Sequence, residues 1–149
     1  MIDEARGGYV LAEAEACGGE PQTVLIAAVG ETAVALEARD ILERDGIGTR
    51  VVCLPRPERF AAQDRAYRDR VLAPHVTARV SVAAGAALGW YAMVGGAGDA
   101  VGLERFGADG PFRRLYGQYG LTADRVAAAA RHSLARSRAR SRARSPRTR

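Results

Sequence analysis

The chain has 149 residues, 48% of them apolar and 26% charged, enough for one domain with a proper core and too few for two ordinary ones. No apolar run approaches the roughly 20 residues of a membrane-spanning helix, and Asp3 and Glu4 stand where a secretory signal would be basic, so the sequence points to a cytoplasmic protein without a membrane partner. The net charge of +5 belongs to the C-terminus: residues 131–149 hold eight arginines and no acid, which leaves fourteen arginines against seventeen acidic residues in the body and no reason to expect nucleic acid there.

In chain order, Tyr9 to Leu11 is a short edge-strand candidate entered through Gly7-Gly8. Thr23 to Val29 is a continuous, partly β-branched apolar run, as expected of a parallel strand buried between two helix layers. Gly30 turns the chain into a helix from about Glu31 to Asp45, with Val34, Ala35, Ala38, Ile41 and Leu42 along one side and Gly46 and Gly48 closing it. Arg50 to Leu54 is the next strand, ended by Pro55. Glu58 to Val71 reads as one polar helix with a narrow stripe of Phe60, Tyr67 and Val71. Val76 to Val82 is a third long strand, Gly85 to Val94 a short helix, Gly95 to Gly98 a loop and Ala100 to Leu103 a fourth strand. Pro111 to Tyr119 is helical, and Thr122 caps a last helix from Ala123 to about Leu134.

Strand and helix alternate at βαβ spacing. This predicts an α/β domain over residues 1–135 with an open, mostly parallel sheet covered by helices on both faces. Residues 136–149 repeat alanine, arginine and serine. With so little apolar surface they are expected to be a disordered tail, read first as an incidental extension. Nucleic acid is not expected as a partner except through phosphate neutralisation by this tail, which lacks aromatic residues for base stacking.

The residues that could carry chemistry are few. Cys17 and Cys53 lack metal-ligand and redox spacing, and are expected in a loop and in a core strand respectively. His75 and His132 have no cysteine or carboxylate at ligand spacing. There is no G-x-S-x-G elbow, no G-x-G-x-x-G, and no Lys or Ser/Thr behind the Gly95–Gly98 loop. The best ligand position is the turn Gly30, Glu31, Thr32, because open α/β sheets bind ligands beyond the carboxyl ends of their strands; Glu31 there is equally well explained by the helix dipole. Glu58, Arg59, Asp64, Arg65 and Arg68 read as a solvated helix face with pairs such as Asp64–Arg68. Trp90, Tyr91 and Phe106 are core or interface aromatics. No residue is assigned as catalytic, cofactor-binding or metal-binding.

Order and spacing add more than composition does. The string from Cys53 to Leu72, C-L-P-R-P-E-R-F-A-A-Q-D-R-A-Y-R-D-R-V-L, resembles the M-P-S-W-E-R-F-x-x-Q-D-x-x-Y segment of the transketolase C-terminal domain. It matches at Pro55, Glu58 to Phe60, Gln63, Asp64 and Tyr67, with Arg56-Pro57 where that family has Ser-Trp. Gly8 to Leu11, Val76 to Val80, Leu88 to Tyr91, Arg105 to Ala108 and Gly120 to Thr122 resemble further family segments. Two departures stand out. Val29-Gly30 replaces the usual Gly-Ser before Glu31, and Ala83 replaces a glutamate before Ala84-Gly85.

The resemblance implies a five-stranded, mostly parallel three-layer α/β/α sheet with one antiparallel strand. It also implies that this is only the third domain of a thiamine diphosphate-dependent enzyme. In that family the cofactor, its divalent metal and the catalytic residues belong to the first two domains. The third packs against the middle domain and the dimer partner. The chain is therefore expected to be a structural and assembly module that binds no cofactor and has no activity alone. Its partners would be transketolase-like N-terminal and middle domains on another chain, and a homodimer fits the same scheme. The parent reaction, transfer of a two-carbon ketol unit between sugar phosphates, places it in the pentose phosphate pathway and carbohydrate metabolism. The alternatives are a repurposed small-molecule-binding or regulatory module, or a relic without function.

Overall fold

A computed structural model describes residues 4–84, 99–103 and 122–144. Within them lie strands β1 (Tyr9–Ala12), β2 (Thr23–Ala27), β3 (Thr49–Cys53), β4 (Arg79–Ala84) and β5 (Asp99–Leu103), and helices α1 (Thr32–Arg44), α2 (Pro57–Ala61), α3 (Arg65–Leu72) and α4 (Ala123–Arg144). The strands form one sheet in the order β1-β3-β2-β4-β5. All neighbours are parallel except β1, which pairs antiparallel with β3 at the edge. The expected helices at 85–94 and 111–119, the 95–98 loop, Trp90, Tyr91 and Phe106 lie outside the described residues.

The centre of the sheet is β2, whose five residues are all buried. Leu25 stands level with Val51 of β3 and Val80 of β4. Because successive side chains point to opposite faces, one strand supplies two cores. Leu25 and Ala27 join Val51, Val80 and Val82 under α1 and α4, where Ala35, Ala38, Leu42, Val126, Ala127 and Ala130 meet them. Val24 and Ile26 join Val52, Leu54, Phe60, Tyr67, Val71 and Val76 on the other face. Each fully buried Val, Leu or Ile contributes about 1.5–3 kcal/mol, so a continuous apolar run is what this position demands.

The ends of the elements follow local chemistry. Helix α1 stops in a Schellman turn: Gly46 takes φ +79°, its N–H donates to the Glu43 carbonyl and that of Ile47 to the Leu42 carbonyl, both at 3.0 Å. Strand β2 ends at Ala27 rather than Val29, because Val29–Glu31 coil into a single 3-10 turn. Strand β4 starts at Arg79 rather than Val76, whose N–H closes a turn onto the Ala73 carbonyl at 2.8 Å.

Two helices differ from the sequence expectation. The polar helix expected over Glu58 to Val71 is two helices, α2 and α3. Asp64 adopts extended geometry and its carboxylate accepts the Tyr67 N–H at 2.8 Å, restarting the helix in a new direction. Helix α4 was expected to end near Leu134, with disorder from 136; the structure carries it to Arg144. Alanine and arginine are among the strongest helix formers, and they dominate this stretch.

Gly7-Gly8 is required by close approach. Gly7 sits at φ +87°, and a Cβ there would lie 2.5 Å from the Arg56 carbonyl oxygen and the Phe60 nitrogen; one on Gly8 would lie 2.3 Å from Leu54 Cδ2. A Cβ on Gly30 would meet nothing within 4 Å. Gly7→Ala should therefore lower the stability by at least about 2 kcal/mol, through strain plus collision with backbone. Gly30→Ala should change it by no more than about 0.5 kcal/mol, both read from urea unfolding midpoints at constant slope.

Candidate functional site

The turn singled out in the sequence, Gly30, Glu31 and Thr32, lies at the carboxyl end of β2 beside that of β4, where the Ala28 N–H donates to the Val82 carbonyl at 3.0 Å. The three residues are together. Gly30 is exposed and Glu31 is buried. The Thr32 hydroxyl donates back to the Val29 carbonyl at 3.2 Å, closing the turn on itself. Val29 beside it is 58% exposed, a large apolar side chain facing outward at the carboxyl edge of the sheet.

Two polar constructions lie elsewhere. The first clasps the lead-in segment before β1. Tyr67 Oη donates to the Gly8 carbonyl at 2.6 Å in the interior, and its ring meets Phe60 edge-on at a centroid separation of 6.1 Å. The Arg6 guanidinium lies over the same ring, 4.6 Å from its centre. Arg59 Nη1 donates to the Ala5 carbonyl at 3.2 Å, and Gln63 Nε2 to the Arg59 carbonyl at 3.2 Å. The E-R-F…Q-D…Y segment is thus a fastening. Phe60 fills the core, Asp64 caps α3, and Tyr67 and Arg59 hold residues 5–8. Asp64 serves as that cap, while an exposed ion pair on α3 joins Arg65 to Asp69 at 3.7 Å.

The second construction ties together the amino ends of β2 and β3. The Glu43 carboxylate, in the last turn of α1, accepts the N–H groups of Ala16 (2.7 Å), Thr49 (2.8 Å) and Glu15 (3.1 Å). Burial, the largest single influence, pushes its pKa up; the N–H bonds from Thr49, Ala16 and Glu15 and the charge of Arg39 together outweigh it and hold the carboxyl below its ordinary value. Arg39 Nε donates to the carbonyls of Glu13 (3.1 Å) and Thr49 (3.2 Å). Arg50 Nη1 donates to the carbonyls of Arg70 and Val71, both at 3.0 Å, and Nε pairs with the Glu13 carboxylate at 2.9 Å. The hydroxyls of Thr23 and Thr49 share a buried hydrogen bond of 3.0 Å.

None of these roles for Glu43, Arg39, Arg50 or Tyr67 was legible in the sequence. Their partners are backbone groups 6 to 59 positions away, and no spacing rule reaches that far. Cys53 is buried in β3 and Cys17 is exposed in its loop, as expected. Among the described residues no group of three or more His, Cys, Asp or Glu side chains stands where it could hold a metal ion.

Residues 7–122 match the family described as the transketolase-like TK C-terminal domain. The chain is 45% identical over 132 residues to the transketolase of Mycobacterium tuberculosis, covering 87% of this chain and 19% of that protein. It is 43% identical over 134 residues to transketolase 1 of Escherichia coli, covering 90% and 20%. It therefore spans about a fifth of the length of these curated relatives. Among solved structures, the Leishmania mexicana transketolase superposes with a TM-score of 0.74 at 32% identity, covering 88% of this chain and 18% of that one. A Pichia stipitis transketolase complexed with sedoheptulose 7-phosphate does so at 0.77 and 28%, covering 91% and 19%. A split-gene transketolase, an inactive beta4 tetramer, superposes at 0.67 and 26%, covering 90% of this chain and 44% of that chain.

Tyr67→Phe keeps the ring and strands the buried Gly8 carbonyl, so it should cost about 1–3 kcal/mol in urea unfolding. Because the folded-state pKa of Glu43 is depressed, its contribution is present above the unfolded-state value and lost as pH falls through the folded one. The melting-temperature gap between the wild type and Glu43→Gln should therefore shrink steadily from about pH 6 to about pH 3, across the ordinary glutamate range. A gap independent of pH would show that the ionised carboxylate is not what holds Ala16 and Thr49.

Proposed function

Because this chain belongs to the transketolase C-terminal domain family, we propose that it acts as the structural and assembly module of a thiamine diphosphate-dependent transketolase. In this reading it docks on transketolase-like N-terminal and middle domains carried on another chain. The assembled enzyme moves a two-carbon ketol unit from a ketose phosphate to an aldose phosphate in the cytoplasm. The isolated chain does not turn over.

The observation that carries the reading is how the charged side chains are used. Glu43, Arg39 and Arg50 are partly buried and direct most of their hydrogen bonds at backbone N–H and C=O groups of this same domain, Arg50 adding one to the Glu13 carboxylate. Such groups fix loops and strand ends; they are not aimed at a substrate. The family's E-R-F…Q-D…Y segment, which has the look of a functional motif, holds the lead-in strand in the same way. The split-gene relative supports division of the family's domains between chains. Thiamine diphosphate and its divalent metal would supply the carbanion chemistry of the assembled enzyme. The described residues offer no cluster suited to that metal, and no step through the cofactor is assigned to them.

In this reading Trp90, Tyr91 and Phe106 supply the docking surface, since aromatic side chains dominate such contacts. Co-expression with the N-terminal and middle domains should give a complex that co-purifies and catalyses ketol transfer. Trp90→Ala should weaken that complex by about 2 kcal/mol or more, the usual cost of removing an aromatic anchor, and urea unfolding of the isolated variant separates a docking role from a core one. Turnover by the isolated chain with cofactor and metal, after host transketolase is excluded, would overturn the assembly reading.

A further inference from the structure

Strand β1 ends the sheet on one side, and among the described residues no strand lies beyond it. Along a strand the backbone polar groups of successive residues point to opposite edges. The Leu54 N–H donates to the Ala27 carbonyl on the β2 side, so the polar groups of Cys53 face β1. Cys53 stands opposite Tyr9. Tyr9 therefore bonds inward, and the N–H and C=O of Val10 face outward. An edge of this kind is a template for another extended chain.

A groove of about 430 Å³ runs along the edge, between β1 and α3. Val10 and Val71 make part of it apolar, and Arg70 also lines it. Arg70 is exposed, its guanidinium lies 5.6 Å from the centre of the Tyr67 ring, and it makes no ion pair among the described residues. The neighbouring acids are engaged, Glu13 with Arg50 at 2.9 Å and Asp69 with Arg65 at 3.7 Å. On the opposite face of the edge, Leu11 and Ala12 are only half-buried against the α1 core.

We propose that β1 takes on an extended acidic segment of a partner protein, which adds to the sheet as a strand on its open side. Successive residues of such a strand alternate between the two faces. Those turned to the α3 face meet Arg70, which favours carboxylates there. Those turned the other way lie beside Leu11 and Ala12, which favours apolar side chains. The occupant is thus a chain of alternating acidic and apolar residues, held by main-chain hydrogen bonds and selected through its side chains. The bulge between Val10 and Ala12 keeps the added strand short. A second copy of this chain suits the edge less well. Pairing β1 with itself about a two-fold axis puts both α3 helices on one side of the joined sheet and brings two Arg70 guanidiniums to the same seam. The site uses none of Trp90, Tyr91 and Phe106, so its failure and that of the assembly reading are distinguishable.

The test is fluorescence anisotropy of a labelled peptide of alternating glutamate and valine, titrated with the full chain. Binding should saturate. Arg70→Glu should weaken it by about fivefold or more, because an attraction becomes a repulsion. Val10→Pro removes an outward N–H and leaves the β1–β3 ladder whole. It should weaken binding by about fivefold and leave the urea midpoint nearly unchanged. A peptide N-methylated at every residue keeps its charges and requires no change in the protein; it should bind about tenfold more weakly or worse. Equal affinity for the N-methylated peptide would overturn strand addition. Equal affinity for a peptide with lysine in place of glutamate would overturn the acidic partner. A parent peptide that does not saturate, or binding unmoved by both substitutions, would overturn the site. A chain that sediments as a dimer, and as a monomer once Val10→Pro is introduced, would give the edge to a second copy and overturn the choice of occupant.

Discussion

Five residues, Thr23–Ala27, set the constraint that the rest of the domain must meet: both faces of β2 are closed to water and both neighbouring strands are parallel to it. A strand in that position needs a crossover connection on each side. It also needs a helix layer on each face and side chains that are apolar or, like Thr23, hydrogen-bonded in the interior. The two cores follow from the period of two along this strand, one under α1 and α4, the other under α2 and α3. Alanines at 35, 38, 127 and 130 bring α1 and α4 close to the sheet. The bulkier Phe60 and Tyr67 fill the space left by the short, broken helices opposite.

Around this frame the charged residues act as fasteners. Parallel strands leave their amino ends as loose backbone, and here Glu43 collects three N–H groups while Arg39 and Arg50 collect carbonyls. The edge strand β1 is held against β3 and by Tyr67 reaching back to Gly8. All of these contacts but the exposed one to Glu15 satisfy a main-chain group that burial would otherwise leave costly. The result is a domain in which these charged side chains serve its own main chain, in a family whose curated relatives here are about five times as long. The arginine helix obeys different physics. Its side chains from Arg138 to Ala143 are exposed and have no core to join.

The sheet and its three layers were legible because hydrophobic periodicity is local: an apolar run with β-branched residues between glycine turns reads as a buried strand wherever it occurs. The division of α2 from α3 was less legible. Asp64 fits a helix face by spacing and an N-cap by chemistry, and only the fold favours the second. The length of α4 ran against the reading by composition. Low apolar content argues that residues 136–144 gain little from packing, yet alanine and arginine favour the helix on their own account and its first turns are anchored on the sheet.

The amino-acid sequence by itself determined the class of fold, the central strand, the position of the Gly30–Thr32 turn at a strand's carboxyl end and the family resemblance, since each rests on patterns within a few tens of residues. Only the tertiary structure decided what the polar residues do. Glu43 and Thr49 are six apart, Arg50 and Arg70 twenty, Tyr67 and Gly8 fifty-nine. A hydrogen bond acts over about 3 Å in space whatever the separation along the chain, so these pairings come into being only when the sheet has brought distant segments together.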